Sequence, residues 1–161
     1  MIRFKKIKWK NFLSTGDQWT EVKLDDDGTT LIVGANGAGK STVLDAICFV
    51  LFNKPYRKIT KSQLVNTTNE KGTETEIEFE IGSKQYLVRR GIKPNIFDIE
   101  IDGNMRNKEA DDRVNQKVLE EQILKLNFKS FTQIVILGLS LIHISEPTRR
   151  YAISYAVFCL K

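Results

Sequence analysis

The sequence has few cysteines and lacks long apolar runs, the features that stabilise secreted proteins and anchor membrane proteins. Its 161 residues include two cysteines, three prolines and one histidine. The cysteines, Cys48 and Cys159, are too few for a disulfide framework and lack the spacing of a metal site. No apolar run reaches the roughly 20 residues that a membrane-spanning helix needs, and the charged N-terminus lacks the apolar centre of a signal peptide. These absences predict a cytoplasmic protein.

The remaining composition is that of one globular domain with a modest basic excess. Hydrophobic residues make up 41% and charged residues 28% of the chain, and the formal net charge is +5, as in ordinary folded domains. The cations form two groups, which could contact nucleic-acid phosphates or be solvated faces. The N-terminal basic cluster comprises Arg3, Lys5, Lys6, Lys8 and Lys10, and the second basic cluster comprises Lys54, Arg57, Lys58 and Lys61.

The most informative segment is IVGANGAGKST, residues 32–42. Gly34, four further residues and then Gly39-Lys40-Ser41 form the P-loop pattern that binds nucleoside triphosphates. An apolar run precedes the pattern and a helix-like run follows it, in the order strand, loop and helix that a P-loop requires. The sequence therefore predicts a nucleotide-binding loop rather than an ordinary glycine-rich turn.

Each position of this loop has a chemical reason. Glycines let the backbone approach a polyphosphate with converging N–H groups, and the following helix presents its positive N-terminal end. We expect Lys40 to contact the β- and γ-phosphates, Ser41 to ligate Mg²⁺ and Thr42 to lie near the α-phosphate. The predicted cofactors are ATP and Mg²⁺, and Lys40 is also assigned to catalysis. The predicted nucleotide-binding residues are Gly34, Ala35, Asn36, Gly37, Ala38, Gly39, Lys40, Ser41 and Thr42.

Hydrophobic periodicity predicts the elements before and after the loop. Residues 2–12 and 18–24 alternate around the turn-rich segment Ser14–Asp17, which predicts a hairpin. The apolar residues Leu31–Val33 are expected to form the strand that leads into the P-loop. A helix is expected from about Lys40 to Phe52.

Three period-two segments, at 73–81, 84–91 and 95–103, predict an antiparallel meander after this helix. Small nucleoside kinases and GTPases continue instead with the crossovers of a parallel sheet. The meander favours an α/β P-loop fold of ABC/SMC type, in which it lies beside the P-loop core. Residues 109–125 show helical spacing, and the apolar run FTQIVILG at 131–138 predicts a buried strand.

Two parts of the catalytic apparatus of such ATPases are missing from the chain. One is an apolar strand that ends in Asp-Glu, which holds Mg²⁺ and activates water. The segment IFDIEID at 96–102 is the only candidate, but its acids share one face, which indicates a half-exposed strand. The other is a Leu-Ser-Gly-Gly signature. The chain alone is therefore predicted to hydrolyse ATP at no more than background.

Several segments, taken in order, resemble one known family. KNFLSTGD at 10–17, the P-loop region 31–66, RRGIKPNIFDIEIDG at 89–103 and SFTQIVILG at 130–138 are similar to the N-terminal lobe of SMC/SbcC-family ATPase heads. Within the family the likeness is greatest to phage members, the ATPase subunits of recombination endonucleases of T-even-type bacteriophages. If the gene is phage-encoded, as this resemblance implies, the protein is expected in the cytoplasm of the host cell.

The resemblance implies an assembly larger than this chain. In the family, two heads enclose two ATP molecules, and each site combines the P-loop of one head with the signature motif of the other. A long coiled coil separates the two lobes of each head. The chain would be the first lobe of a DNA repair and recombination ATPase. Its implied partners are a second ATPase head in a homodimer, a nuclease subunit and non-specifically bound DNA, with no membrane.

The resemblance also assigns roles to single residues. Gln133 matches the Q-loop glutamine that contacts Mg²⁺ and the attacking water, so Gln133 is predicted to be a metal ligand and a catalytic residue. Arg57 lies where some SMC heads carry an arginine loop near nucleotide and DNA, although a solvated side chain is an equal alternative. Many cellular relatives have Arg at the position of Leu13, and Lys10 could replace that phosphate contact.

Two alternative functions stay open at this point. One is another SMC-like ATPase without a nuclease partner, of the RecF-like, RecN-like or chromosome-organising kind. The other is a non-catalytic nucleotide-binding fragment. A downstream coiled coil with a central Cys-x-x-Cys would favour the nuclease complex.

Residues 139–161 depart from the family pattern. Relatives continue with a charged helix, whereas this segment contains Pro147 and the uncharged run YAISYAVF, without a helical period. SLIHISEPTRR also resembles translated sequencing-adapter read-through. We therefore expect a family lobe at 1–138 and an artefactual tail at 139–161, in which His143 and Cys159 have no function. Resequencing across codon 138 would test this expectation.

Overall fold

The computed structural model describes residues 1–25, 30–35, 37–106, 111–134, 136 and 156–158. The strands are β1 (Ile2–Lys10), β2 (Thr20–Lys23), β3 (Thr30–Ile32), β4 (Thr73–Ile81), β5 (Lys84–Ile92), β6 (Ile96–Ile101), β7 (Asn104–Met105) and β8 (Ala156–Phe158). The α-helices are α1 (Thr42–Phe52), α2 (Asp112–Lys117) and α3 (Phe128–Ile134). Six of these strands form one antiparallel sheet in the order β2-β1-β4-β5-β6-β7, and α1 packs against its inner face.

The predicted meander is confirmed, because β4, β5 and β6 pair in sequence with antiparallel register. Side chains alternate between the two faces of the sheet, as the period of two requires. Ile77 and Phe79 of β4 face the core and are buried. In β6, Ile99 is buried between the half-exposed residues Asp98 and Glu100. The segment IFDIEID is therefore a half-exposed strand, as predicted.

The predicted N-terminal hairpin is also confirmed, and a β-bulge explains its loose alternation. The register between β1 and β4 shifts between Phe4 and Lys6. The extra residue lets Phe4 and Ile7, three positions apart, face the same core. Trp9 on this inner face is buried, whereas Trp19, in the loop before β2, is 40% exposed.

Helix α1 fills the inner side of the sheet. The predicted helix is confirmed, although regular helical structure begins at Thr42 rather than at Lys40. All eleven of its residues are buried, because the helix is apolar on every side. Phe49 packs on Phe12 with ring centroids 5.8 Å apart. Asp45, the only acid in the helix, is 0% exposed.

The P-loop strand β3 belongs to a separate two-stranded sheet. It pairs antiparallel with β8, and Leu31 lies opposite Val157. The strand begins one residue earlier than predicted, and Val33 is 62% exposed instead of continuing it. The rest of residues 139–161 lies outside the described residues, so the artefactual tail stays a prediction.

The helix predicted at 109–125 is confirmed from Asp112 onward, while residues 109 and 110 lie outside the described residues. The side chain of Asp111 caps α2 by accepting a hydrogen bond from the Arg113 backbone N–H at 3.2 Å. Helical structure continues as a π-helix at Val118–Leu124. Its wider turn places Leu119 and Leu124, five positions apart, on one buried face.

The strand predicted at 131–138 is wrong in the described part of that segment. Residues 128–134 form helix α3, and Asn127 accepts a hydrogen bond from the Ser130 backbone N–H at 2.9 Å near its start. Phe131 of this helix is buried against Phe52 and Phe4, at centroid distances of 5.1 and 6.0 Å. Aromatic packing at helical spacing therefore outweighs the β-preference of the local sequence.

Candidate nucleotide-binding site

The P-loop joins β3 to α1 through two glycines in the left-handed region. Gly37 and Gly39 have φ values of 85° and 87°, which side-chain-bearing residues rarely adopt. The Ala38 backbone N–H donates to the Ala35 carbonyl at 3.1 Å, and that of Thr42 donates to the Gly39 carbonyl at 2.9 Å. These bonds close the loop and connect it directly to the start of the helix.

The loop presents positive groups that are available to a ligand. Among the described residues, the backbone N–H groups of Gly37, Lys40 and Ser41 donate no hydrogen bond. The Lys40 ammonium donates to the carbonyls of Gly34 and Ala35 at 2.7 and 2.8 Å. Phosphate oxygens are stronger acceptors than these neutral carbonyls. The arrangement therefore fits the binding of a polyphosphate at the N-terminus of α1.

Ser41 and Thr42, two of the polar residues predicted to flank the phosphates, differ in exposure. Ser41 is exposed at the N-cap of α1, where its hydroxyl is free to ligate a cation. Thr42 is only 3% exposed, and its hydroxyl lies beneath Gly39, 3.4 Å from the position that a Cβ would occupy there. Asn36 lies outside the described residues.

An ion pair joins the first turn of α1 to the second basic cluster. Asp45 accepts two hydrogen bonds from Arg57, one from its backbone N–H at 3.0 Å and one from Nε at 2.6 Å. The Asp45 side chain is fully buried, whereas that of Arg57 is 45% exposed. Arg57 is therefore anchored rather than simply solvated.

The predicted Q-loop residue lies on the surface. Gln133 is exposed in the last turn of α3, and no hydrogen bond within the described residues involves its side chain. The described residues also contain no group of three or more His, Cys, Asp or Glu side chains that could hold a metal. A cation at Ser41 would therefore need ligands from nucleotide, water or residues such as Gln133.

The N-terminal basic cluster is neutralised by acids on the neighbouring strand. Lys6, Lys8 and Lys10 alternate along the outer face of β1, opposite Glu78, Glu76 and Glu74 of β4. Arg3 and Lys5 also pair with Glu80, at 3.8 and 3.3 Å. The three central pairs, Lys6–Glu78, Lys8–Glu76 and Lys10–Glu74, have N–O distances of 2.9, 2.7 and 3.0 Å. Cross-strand pairing thus reduces the positive field that the sequence predicts.

Glu74 is the most strongly held of these acids. It also forms an ion pair with Arg89 on β5. Burial pushes the pKa of Glu74 upward, but hydrogen bonds from Arg89 and Lys10 outweigh burial and lower that pKa below its ordinary value. Lys10 lies between Glu74 and the Trp19 ring, whose centroid is 4.8 Å from the ammonium. Lys10 is therefore already engaged, which disfavours it as a substitute phosphate contact.

Leu13 contributes packing at the position where the family resemblance implies an arginine in many cellular relatives. Its backbone adopts φ 54°, and its side chain packs against the core. The Leu13 backbone N–H donates to the Leu64 carbonyl at 2.7 Å, and its carbonyl accepts from the Asn66 side chain at 3.0 Å. These bonds tie the hairpin loop to the segment that follows the second basic cluster.

The second basic cluster has fewer acidic partners. Lys54 and Lys58 are exposed and have no ion pair within the described residues. Burial, followed by repulsion from Arg90, lowers the pKa of Lys61, whose ammonium lies 5.8 Å from the centroid of the Phe49 ring. Lys54 and Lys58 of the second basic cluster are therefore exposed cations without an acidic partner among the described residues.

A buried arginine holds the opposite end of α1. Arg90 is 4% exposed, and its Nε donates to the Val50 carbonyl at 3.1 Å. Gln116 accepts from Arg90 at 2.6 Å and donates to the Leu51 carbonyl at 2.9 Å. Burial lowers the pKa of Arg90 to about 9, while Asp112 and Glu120 act in the opposite direction. The guanidinium therefore stays charged at neutral pH and complements the C-terminal end of the helix.

Asp45, Arg90 and Glu74 belong to no motif in the sequence, and their roles emerge only from the structure. A polar residue inside an otherwise apolar helix, as at Asp45, is a signal that a partner is needed. Arg90 and Glu74 offer a weaker signal, since charged residues are common in half-exposed strands. Their partners lie 12 to 40 positions away in sequence, so pairing depends on the fold.

The fold and loop define the class of the protein as a P-loop NTPase of ABC/SMC type, of which the chain contains the N-terminal lobe. A family model described as an AAA domain matches residues 6–150, and the chain therefore belongs to the AAA domain family. This match continues past Gly138, and the domain boundary proposed there stays a prediction. In the described part of the chain, no helix is long and apolar enough to cross a membrane.

Sequence comparison identifies related proteins of known name. Exonuclease subunit 2 of Enterobacteria phage T4 is 40% identical over 152 residues, covering 92% of this chain and 27% of that protein. The DNA double-strand break repair Rad50 ATPase of Sulfolobus acidocaldarius is 38% identical over 88 residues, covering 55% of this chain and 10% of that protein. The chain thus spans about a quarter of the length of the phage relative. The predicted resemblance to SMC/SbcC-type ATPases, and to phage members in particular, is confirmed.

A solved structure supports the same fold. The Smc head domain of Pyrococcus furiosus, with an extended coiled coil and bound to the C-terminal domain of ScpA, superposes with a TM-score of 0.54. The two chains are 23% identical, and the match covers 86% of this chain and 39% of the other. At this identity the similarity concerns the fold, and it confirms the predicted α/β P-loop lobe of an SMC-type head.

Proposed function

We propose that the chain is the ATP-binding N-terminal lobe of a DNA repair and recombination ATPase that works with a nuclease subunit at DNA ends. The observation that carries the proposal is a P-loop at the N-terminus of α1 whose Gly37, Lys40 and Ser41 backbone N–H groups have no acceptor among the described residues, together with the Lys40 ammonium. The 40% identity to a phage exonuclease subunit favours a nuclease-associated ATPase over the other SMC-like alternatives.

In the proposed site the loop residues bind the phosphates of ATP and the associated Mg²⁺. The backbone N–H groups of the loop bind phosphate oxygens, and Lys40 exchanges its two carbonyl partners for the β- and γ-phosphates. Ser41 would supply a hydroxyl ligand for Mg²⁺, and Gln133 would help to hold the cation and to orient the attacking water. When bound, Mg²⁺ would neutralise charge on the β- and γ-phosphates.

The proposed cycle requires groups that lie outside this sequence. No strand of the described residues ends in an Asp-Glu pair, and the sequence contains no signature motif. We therefore assign the missing carboxylate to a C-terminal lobe and the missing signature to a second head. ATP would join two heads, and hydrolysis would release them and regulate access of the nuclease to DNA.

Turnover measured with and without a C-terminal lobe tests the proposal. We expect the chain alone to hydrolyse ATP at background, and addition of a C-terminal lobe with coiled-coil arms to restore turnover. In the restored assembly, Gln133→Ala should lower kcat more than it raises KM. Robust hydrolysis by the chain alone would contradict the division between lobes and indicate a self-sufficient NTPase.

A further inference from the structure

A buried carboxylate connects the proposed nucleotide site to a surface segment. Asp45 lies in the first turn of α1 and is 0% exposed. A buried carboxylate without partners would be strongly unfavourable, and both of its oxygens accept hydrogen bonds from Arg57. The interaction therefore fixes two features at once, the path of the backbone at residue 57 and the direction of the guanidinium.

The backbone of the same residue belongs to the first turn of α1, directly after the P-loop. The Asp45 backbone N–H donates to the Ser41 carbonyl at 3.2 Å, and Ser41 is the proposed Mg²⁺ ligand. Binding of phosphate at a helix N-terminus stabilises the first turn by satisfying its free N–H groups. Ser41, Asp45 and Arg57 thus form a continuous chain of hydrogen-bonded residues from loop to surface.

The path of the polypeptide after α1 explains why Arg57 reaches Asp45. Helix α1 ends at Phe52, seven residues or roughly 10 Å along the axis from Asp45. Residues 53–57 must therefore run back beside the helix toward its N-terminus. Residues 53–60, here called the return segment, then lead to the 3-10 helix Lys61–Leu64, whose capping box is formed by Thr60 and Gln63.

We propose that Asp45 is a positioning residue that makes the return segment respond to nucleotide at the P-loop. This inference rests on the proposed ATP-binding function. Ordering of the first turn by phosphate holds the Asp45 carboxylate in place, and the carboxylate in turn holds Arg57 through both hydrogen bonds. Asp45 itself touches neither nucleotide nor Mg²⁺.

Hydrogen exchange of the full chain, with and without saturating Mg²⁺·ATP, tests this coupling. In the wild-type chain, nucleotide should slow amide exchange in the return segment by roughly threefold or more. Asp45→Asn removes the charge that pairs with the guanidinium, and it should abolish most of this change while nucleotide still binds. Arg57→Ala keeps its backbone N–H bond to Asp45, so it should give an intermediate change.

The matched control is Lys58→Ala, because Lys58 belongs to the same segment, is exposed and has no described partner. It should retain the full nucleotide-dependent change. A wild-type response in Asp45→Asn would overturn the coupling while leaving nucleotide binding intact. If Asp45→Asn fails to fold, a wild-type response in Arg57→Ala would overturn it instead. Failure of the wild-type chain to bind Mg²⁺·ATP in calorimetry would overturn the proposed function as well.

Discussion

Lys40 provides the most direct residue-scale test of the site. Its ammonium rests on two loop carbonyls and is only half-buried, so Lys40→Ala should change the free energy of unfolding by less than about 1 kcal/mol. The substitution should nevertheless abolish Mg²⁺·ATP binding, because the point charge at the β- and γ-phosphates is lost. Titration calorimetry and denaturant unfolding would measure the two effects. Equal affinity of wild type and variant for Mg²⁺·ATP would contradict the P-loop interpretation. The control is Lys84→Ala, which removes an exposed lysine at the start of β5.

Glu74 predicts a specific dependence of stability on pH. Its folded pKa lies below the ordinary value of 4.5, so the unfolded chain binds more protons between these two values. The stabilisation is therefore complete above pH 4.5 and is lost as the pH falls through the folded pKa. Glu74→Gln should lower the free energy of unfolding by about 1–2 kcal/mol at pH 7, and the difference from wild type should narrow in acid.

The control for this effect is Glu78→Gln on the same face of β4. The Glu78 side chain is 38% exposed, against 11% for Glu74, so its ion pair is better screened by water. We expect a change of less than about 0.5 kcal/mol. Denaturant unfolding at several pH values would give both results. A Glu74→Gln penalty that persists undiminished below its folded pKa would contradict the assignment.

At the scale of elements, the buried end of α1 depends on Arg90. Arg90→Met keeps much of the volume but leaves the Val50 carbonyl and the Gln116 side chain without a donor. We expect the free energy of unfolding to fall by about 2–3 kcal/mol. Arg113→Met, at an exposed position of α2, should cost less than about 0.5 kcal/mol. Equal stabilities of the two variants in urea would show that the contacts of Arg90 contribute little.

Elements whose pattern is local could be predicted from the sequence, and those that depend on distant contacts could not. The meander follows from period-two alternation, and the P-loop follows from a motif of adjacent residues. Helix α3 is not predictable from its local sequence, which favours a strand, because Phe131 packs on Phe52 only in the folded chain. For the site, loop residues were predictable, whereas the pairing of Asp45 with Arg57 depends on how the chain returns beside α1.

For the whole molecule, the distribution of charge predicts how DNA would bind. Lysines of the N-terminal basic cluster are paired with glutamates, whereas Lys54 is exposed without a described partner. We expect weak, sequence-independent binding that falls steeply with salt, because phosphate contacts carry no base information. Lys54→Ala should lower affinity and reduce the slope of log K against log salt by roughly 0.9. Fluorescence anisotropy at several salt concentrations would measure both.

Lys8→Ala is the matched control for this prediction, since Lys8 pairs with Glu76 at 2.7 Å. Removing a neutralised cation should change the affinity and its salt slope much less than Lys54→Ala. A larger effect of Lys8→Ala would place DNA on the outer face of the sheet instead. A complex that resists salt or selects a sequence would contradict binding through phosphate contacts. Absence of binding would favour a solvated face for both clusters.

The N-terminal hairpin gives the protein two optically distinct reporters. Its only two tryptophans differ in environment, since Trp9 is 3% exposed and Trp19 is 40% exposed. Trp9 should emit at shorter wavelength and resist acrylamide, whereas Trp19 should be quenched readily by collisions in water. Replacing Trp19 with Phe would leave Trp9, inside the core, as the single tryptophan. Unfolding of the lobe could then be followed by emission alone, without a dye or an added label.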